Sequence, residues 1–128
     1  MGATISTIRP AAKTFEDLVV WQKAHEFVLA VYSLTASFPE SEASGLSRLM
    51  RSRATSIAAS IAAAFRKHTK PDRTRYMSAA EESVDECHYY LILGRDLGYG
   101  DTETYLAALN EISALLNSYS RSILTSSF

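Results

Sequence analysis

Residues 53–65 read RATSIAASIAAAF, a run whose only large apolar side chains are Ile57, Ile61 and Phe65. Alanine is the strongest helix former, so the run is helical. With so little bulk on it, such a helix lets something approach its backbone closely. That something is a ligand, a nucleic acid or another helix, and the flanking sequence has to decide which.

Three further helices surround it. Thr14 and Asp17 resemble a capping box, with Asp in place of the usual Glu, and start the first. From there Val20, Ala24, Phe27, Val31 and Leu34 recur in steps of four and three, a coiled-coil-type seam. Trp21, Val28 and Tyr32 form a second apolar stripe beside it. Phe38-Pro39 stops the helix, because the residue before proline is pushed out of the helical region. The alanine-rich helix starts near Ser44, a suitable cap, and adds Leu46 and Met50 to the apolar positions already named. Thr69 with Asp72 caps the third helix, and Pro71 is tolerated in its first turn. Its seam is Tyr76, Ala80, Ser83, Cys87, Tyr90, Gly94 and Leu97, with Met77, Val84 and Leu91 as an adjacent stripe. Gly98 suits the left-handed position that ends it. Asp101 caps the fourth helix, whose seam is Tyr105, Leu109, Ile112, Leu116, Tyr119 and Ile123.

The expected fold is therefore all-α, an antiparallel up-down-up-down four-helix bundle over residues 14–124, with tails at 1–13 and 125–128. The short connections make consecutive helices neighbours, so the alanine run serves close helix approach. The two apolar stripes on helices one and three exceed what one buried face needs, and the surplus predicts cover by another subunit. A chain of 128 residues can bury a core without staples. Its single cysteine, Cys87, cannot form an internal disulfide, which favours a reducing compartment. There is no secretory signal and no apolar run of about 20 residues, so a cytoplasmic location without membrane contact is expected.

Several short stretches also occur in a family's order and spacing: FEDLVVWQKA at 15–24, Phe38-Pro39, Gly45-Leu46, Ser56-Ile57, Ser83 with Glu86, and Leu97-Gly98-Tyr99. In these the chain resembles the four helix bundle protein family, also called the S23-like or rRNA-intervening-sequence protein family, from Phe15 to about Tyr119. The resemblance implies an antiparallel bundle, assembly into a ring-like homopentamer and no known enzymatic reaction or cofactor. It also implies two settings. Some members are encoded within insertions of large-subunit ribosomal RNA genes, and a related branch accompanies the reverse transcriptase of diversity-generating retroelements and has affinity for nucleic acid. The chain departs from the family at one place. Where relatives show Asn-Ile-Ala-Glu-Gly, it has Ser60-Ile61-Ala62-Ala63-Ala64, so no glutamate role carries over.

Charge supplies the candidate site. Between Arg48 and Arg75 there are eight basic residues and one acid, a balance of +7 in a chain of net −1, which leaves −8 on the remainder. Arg66, Lys67, Lys70, Arg73 and Arg75 crowd the junction between helices two and three. In a ring that junction repeats around the axis and its field adds, and a phosphate backbone, RNA or DNA, is the matching partner. The competing reading is a solvated basic turn, in which Arg66 and Lys67 complement a helix C-terminus. The expected function is a non-enzymatic homo-oligomeric bundle that binds nucleic acid, or a nucleoprotein partner such as a reverse transcriptase, through this rim. The alternative is an oligomeric protein-interaction scaffold without a nucleic-acid role.

Enzymatic and metal readings fall away. Glu81, Glu82, Asp85 and Glu86 gather on helix three, and Asp85 stands three residues before His88. A di-iron site would need a second such pair and two more carboxylates on other helices, and helix two carries no acid from Gly45 to Phe65. Salt bridging to Arg51 or Arg53 is the expected role. Cys87 lies on the apolar seam, and its neighbour His88 faces elsewhere on the helix, so the two do not form a nucleophile pair. No Gly-rich phosphate loop, zinc spacing or nucleophile elbow occurs.

Overall fold

The computed structural model describes residues 11–125. Residues 1–10 and 126–128, most of the two expected tails, lie outside the described residues. Among those described, the chain forms α1 (Val19–Thr35), α2 (Leu46–Phe65), α3 (Lys70–Asp96) and α4 (Glu103–Leu124), with single 3-10 turns at Phe15–Asp17 and Glu40–Glu42. Each helix packs on its chain neighbours and α4 closes against α1, while no diagonal pair meets. This is the up-down-up-down square expected from the short connections. Two ends result. One holds the start of α1, the α2–α3 junction and the last turn of α4. The other holds the α1–α2 and α3–α4 connections.

The α1 seam is buried throughout, at Val20, Ala24, Phe27, Val31 and Leu34. In α2 the fully buried positions are Met50, Ala54, Ile57, Ile61 and Ala64. The most extensive helix pairing is between α2 and α3. There Ser83 Oγ donates to Ser56 Oγ at 3.0 Å. Each hydroxyl stands one bond beyond Cβ, so this contact holds the two backbones near the close limit of helix packing. Arg53 reaches Glu86 at 3.5 Å one turn further along. What comes close to the small side chains of α2 is therefore α3.

The interior of α3 differs from the expectation. Met77, Val84 and Leu91 are not a surplus stripe; they are buried inside the single chain with Ala80, Ser83, Cys87 and Gly94. A helix in a square bundle touches two neighbours, so α3 buries both of its seams. Tyr76 and Tyr90 are half-buried, and Leu97 is exposed. Exposed large apolar side chains also occur at Leu49 of α2, Tyr89 of α3 and Leu124 of α4, but α1 carries the most, with Val19, Leu29 at 58% and Tyr32 at 46% exposed and Trp21 and Val28 half-buried beside them.

The helix ends also depart from simple capping. Asp17 Oδ2 does accept from the backbone N–H groups of Thr14 at 3.1 Å and Lys13 at 2.9 Å. These bonds cap the 3-10 turn, however. Leu18 is extended, and α1 begins only at Val19. Ser44 does not cap α2. Glu42 does, with Oε1 accepting from Leu46 N–H at 3.0 Å, while its Oε2 accepts from the Tyr99 hydroxyl at 2.7 Å. Gly45 makes room for this arrangement, since a Cβ there would meet Glu42 Oε1 at 2.7 Å. These two bonds, the Leu46 amide first, hold the Glu42 carboxyl below the usual range, and the bond to Glu42, with burial, pushes the Tyr99 hydroxyl up. Phe38 packs on Tyr99 with ring centroids 5.3 Å apart. Thr69 Oγ1 accepts from Asp72 N–H at 3.2 Å to open α3. A Schellman motif closes it: Gly98 sits at φ 79°, its N–H donates to Arg95 O, and Tyr99 N–H donates to Gly94 O. Asp101 Oδ1 accepts from Glu103 N–H at 3.0 Å, although the residue immediately before α4 is Thr102.

Two stability tests follow from this packing. Ser83→Leu places three extra carbons at the Ser56 contact between α2 and α3 and is expected to cost about 1–3 kcal/mol, read as a lower urea midpoint; an unchanged midpoint would show that the helices have room. Glu42→Gln is expected to lower the melting temperature at neutral pH. A carboxyl with a depressed folded pKa stabilises above its unfolded pKa and loses that contribution as pH falls through the folded value. The gap between wild type and Glu42→Gln should therefore close on acidification, and a gap constant down to strongly acid pH would remove Glu42 from this role.

Candidate nucleic-acid interface

The basic junction is built by two helix ends. The last turn of α2 closes with Arg66 N–H donating to Ala63 O and Lys67 N–H to Ala64 O. Three residues later α3 begins at Lys70 under its Thr69 cap. This tight reversal brings Arg66, Lys67, Lys70, Arg73 and Arg75 to one end of the bundle. Arg66 and Arg75 are exposed, and Lys67, Lys70 and Arg73 are half-buried. Arg66 and Lys67 stand at the negative end of the α2 dipole, which favours them there.

The five cations have different surroundings. Arg73 Nε donates to Lys67 O at 2.9 Å, which ties the first turn of α3 back to the junction. Its charge also acts on Tyr119 of α4, whose hydroxyl is nevertheless pushed up, chiefly by burial. Arg75 pairs with Asp72 at 3.3 Å on the same helix face. Tyr76 gathers two cations over its ring: Lys67 Nζ lies 4.9 Å and Arg75 Cζ 5.3 Å from the centroid. Each distance falls within the range of a cation–π contact. The aromatic role of Tyr76 was hidden in the sequence because the residue also falls on the α3 seam. Its only signal was its place directly after Arg75.

The other three cations of the basic segment do not join this corner. Arg48, Arg51 and Arg53 lie in the first turns of α2, at least about 20 Å along the helix from Arg66 at 1.5 Å per residue. Arg51 Nε donates to Thr35 Oγ1 at 2.7 Å and its guanidinium lies 4.7 Å from the Tyr32 ring centroid, which locks α2 to α1. Arg53 is taken by Glu86, the salt bridge expected from the acidic stretch of α3. The two ends differ in sign. Lys13 and Arg121 join the five cations at the basic end against the acids Glu16, Asp17 and Asp72, whereas Glu40, Glu42, Asp96, Asp101 and Glu103 stand at the other end against Arg48 and Arg95.

Among the described residues, none at the basic end is arranged as a catalytic group. An open groove of about 740 Å³ between the start of α1 and the end of α4 is lined by Asp17, Leu18, Val20, Tyr119 and Ser122. Its carboxylate, Asp17, is committed to backbone N–H groups, which hold it below the usual range. Burial, aided by the adjacent Glu86 charge, pushes the Cys87 thiol up to about 12, so it stays protonated and a poor nucleophile. Among the described residues, no three His, Cys, Asp or Glu side chains come together as a metal site, and no helix is long and apolar enough to cross a membrane.

Comparison with known proteins agrees with the architecture. A crystal structure of a protein with unknown function from the S23 ribosomal protein family of Bacteroides thetaiotaomicron superposes with a TM-score of 0.71 at 26% identity, covering 80% of this chain and 99% of that one. No curated protein matches significantly. Residues 16–120 match the family model described as 23S rRNA-intervening sequence protein, a span that includes all four helices apart from the last residues of α4. The chain belongs to the 23S rRNA-intervening sequence protein family.

Proposed function

We propose that the protein is a non-enzymatic, self-associating helical bundle that binds the phosphate backbone of nucleic acid through Arg66, Lys67, Lys70, Arg73 and Arg75. The observation that carries this reading is the segregation of charge. Five cations converge at one helix junction, Asp72 is the single acid between Arg48 and Arg75, and the far end of the bundle carries Glu40, Asp96, Asp101 and Glu103. A polyanion is drawn to the first end and repelled from the second. The description of the family by a ribosomal RNA insertion supports a nucleic-acid setting. Binding of this kind is sequence-independent, because the cations meet phosphate rather than base edges. Electrophoretic retardation of structured RNA should be strong at low salt and fall steeply as salt rises. Lys67→Glu with Lys70→Glu should weaken it for every sequence alike while leaving the helical circular dichroism intact. Equal binding by the double variant, or no retardation of wild type at low salt, returns the junction to a solvated turn.

The scaffold reading has its own observation, the apolar face of α1. Leu29 and Tyr32 are exposed there beside half-buried Trp21 and Val28, more large apolar surface than the other helices leave uncovered. We place a neighbouring subunit on this face, in a pentamer as the family resemblance implies. Light scattering should then give the mass of five copies of the 14.1 kDa chain. A monomer at micromolar concentration defeats self-association. A dimer removes the pentamer but keeps the face covered.

A further inference from the structure

We infer that the basic junction selects duplex over single-stranded nucleic acid, because its aromatic ring is already used to hold its cations. This deepens the nucleic-acid reading and rests on it. Single strands are bound without sequence preference by combining a positive groove with aromatic side chains on which unpaired bases stack. The groove half of that pair is present here, and among the described residues the stacking half is reduced to the small exposed imidazole of His68, since Tyr76 is engaged. Tyr76, the aromatic residue inside the junction, has Lys67 Nζ and Arg75 Cζ over its ring at 4.9 and 5.3 Å and is itself half-buried. A base stacking on Tyr76 must first displace a cation that the same ligand needs.

The other described aromatics at this end are also engaged. Trp21 takes the edge of Phe15 at 5.1 Å and lies parallel to His25, also at 5.1 Å. Phe65 and Tyr119 are half-buried in the helix ends. What the junction offers is a compact set of point charges, two of them oriented by one ring. A duplex matches that set best, since it carries one charge per about 1.7 Å of axis while its bases stay stacked on each other. Within the site Tyr76 is a positioning residue. It touches Lys67 and Arg75, and these touch phosphate. Arg73, bonded to the Lys67 carbonyl, holds the junction in shape.

Fluorescence anisotropy with a 20-base-pair RNA duplex and with an unstructured uridine 20-mer, each titrated at several salt concentrations, tests this. The duplex should bind several-fold tighter at low salt. Its log K should fall with log salt at about −0.9 per neutralised phosphate, against about −0.7 for the single strand. Tyr76→Leu, which keeps apolar bulk at the seam, should weaken duplex and single strand by the same modest factor, because only the order of the cations is lost. Equal or tighter binding of the uridine strand overturns the inference and leaves the nucleic-acid reading standing. A selective loss of single-strand binding in Tyr76→Leu overturns it too, since the ring would then be a stacking platform. Binding of neither probe by wild type overturns the nucleic-acid reading itself, and the inference with it.

Discussion

The contact on which the structure depends is the close approach of α2 to α3, marked by the Ser83–Ser56 hydrogen bond. Two one-carbon side chains can meet only if the helix axes are near each other, and the alanines around Ser56 permit that along much of α2. Close, nearly antiparallel helices need little chain to reverse, so four residues, Arg66 to Thr69, suffice between them. That short reversal forces the cations from both helix ends into one place. Had α2 carried leucines where it carries Ala54, Ala58 and Ala64, the axes would stand further apart and the junction would be longer and more diffuse. The basic corner is thus a consequence of packing as well as of composition.

The opposite end is held in a contrasting way. Glu42 caps α2 and accepts from Tyr99, Tyr99 packs on Phe38, and the Schellman turn at Gly98 delivers Tyr99 to that position. Two connections distant in sequence are joined by one carboxylate, and acidic side chains accumulate around them. Phe38-Pro39, Gly45-Leu46 and Leu97-Gly98-Tyr99, scattered along the sequence, are neighbours here. One corner that must close brings them together, a demand of the fold that carries no information about ligand. At the basic end the tie between α2 and α3 is Arg73 bonded to the Lys67 carbonyl.

Periodicity made the fold legible. Val20, Ala24, Phe27, Val31 and Leu34 are all buried because a heptad seam is a local property, and the same holds for Leu109, Ile112 and Leu116. Features fixed by distant residues were not legible. Ser44 looks like the better cap, yet Glu42 wins because Gly45 and Tyr99 position its carboxylate. Met77, Val84 and Leu91 look like surplus, yet α3 is flanked by two helices and buries them. At the candidate site the position of the five cations could be read from the chain, since they crowd a short turn. Their separate employments could not. That Arg51 belongs to Thr35 and Tyr32, Arg53 to Glu86, and Lys67 with Arg75 to Tyr76 depends on which side chains the bundle brings within reach.

Magnitudes bear on how a ring of such bundles would use this corner. Electrostatic fields are screened over about 8 Å at physiological ionic strength. With helix axes 8–10 Å apart, a bundle two helices wide is roughly 20 Å across, which is two or more screening lengths. Corners held a bundle width apart would not add their fields in solution, which restricts the summation expected of a ring to corners that face its axis. The proposed ring gains instead through multivalency. A polyanion long enough to span two corners makes the second contact at a high effective concentration, and affinity rises with ligand length once that span is reached. Screening also bears on the modest net charge of the chain. The acids of the far end, Glu40, Glu42, Asp96, Asp101 and Glu103, lie more than a screening length from the junction, so they lower the overall count without acting there; within the junction it is Asp72, paired with Arg75, that offsets charge.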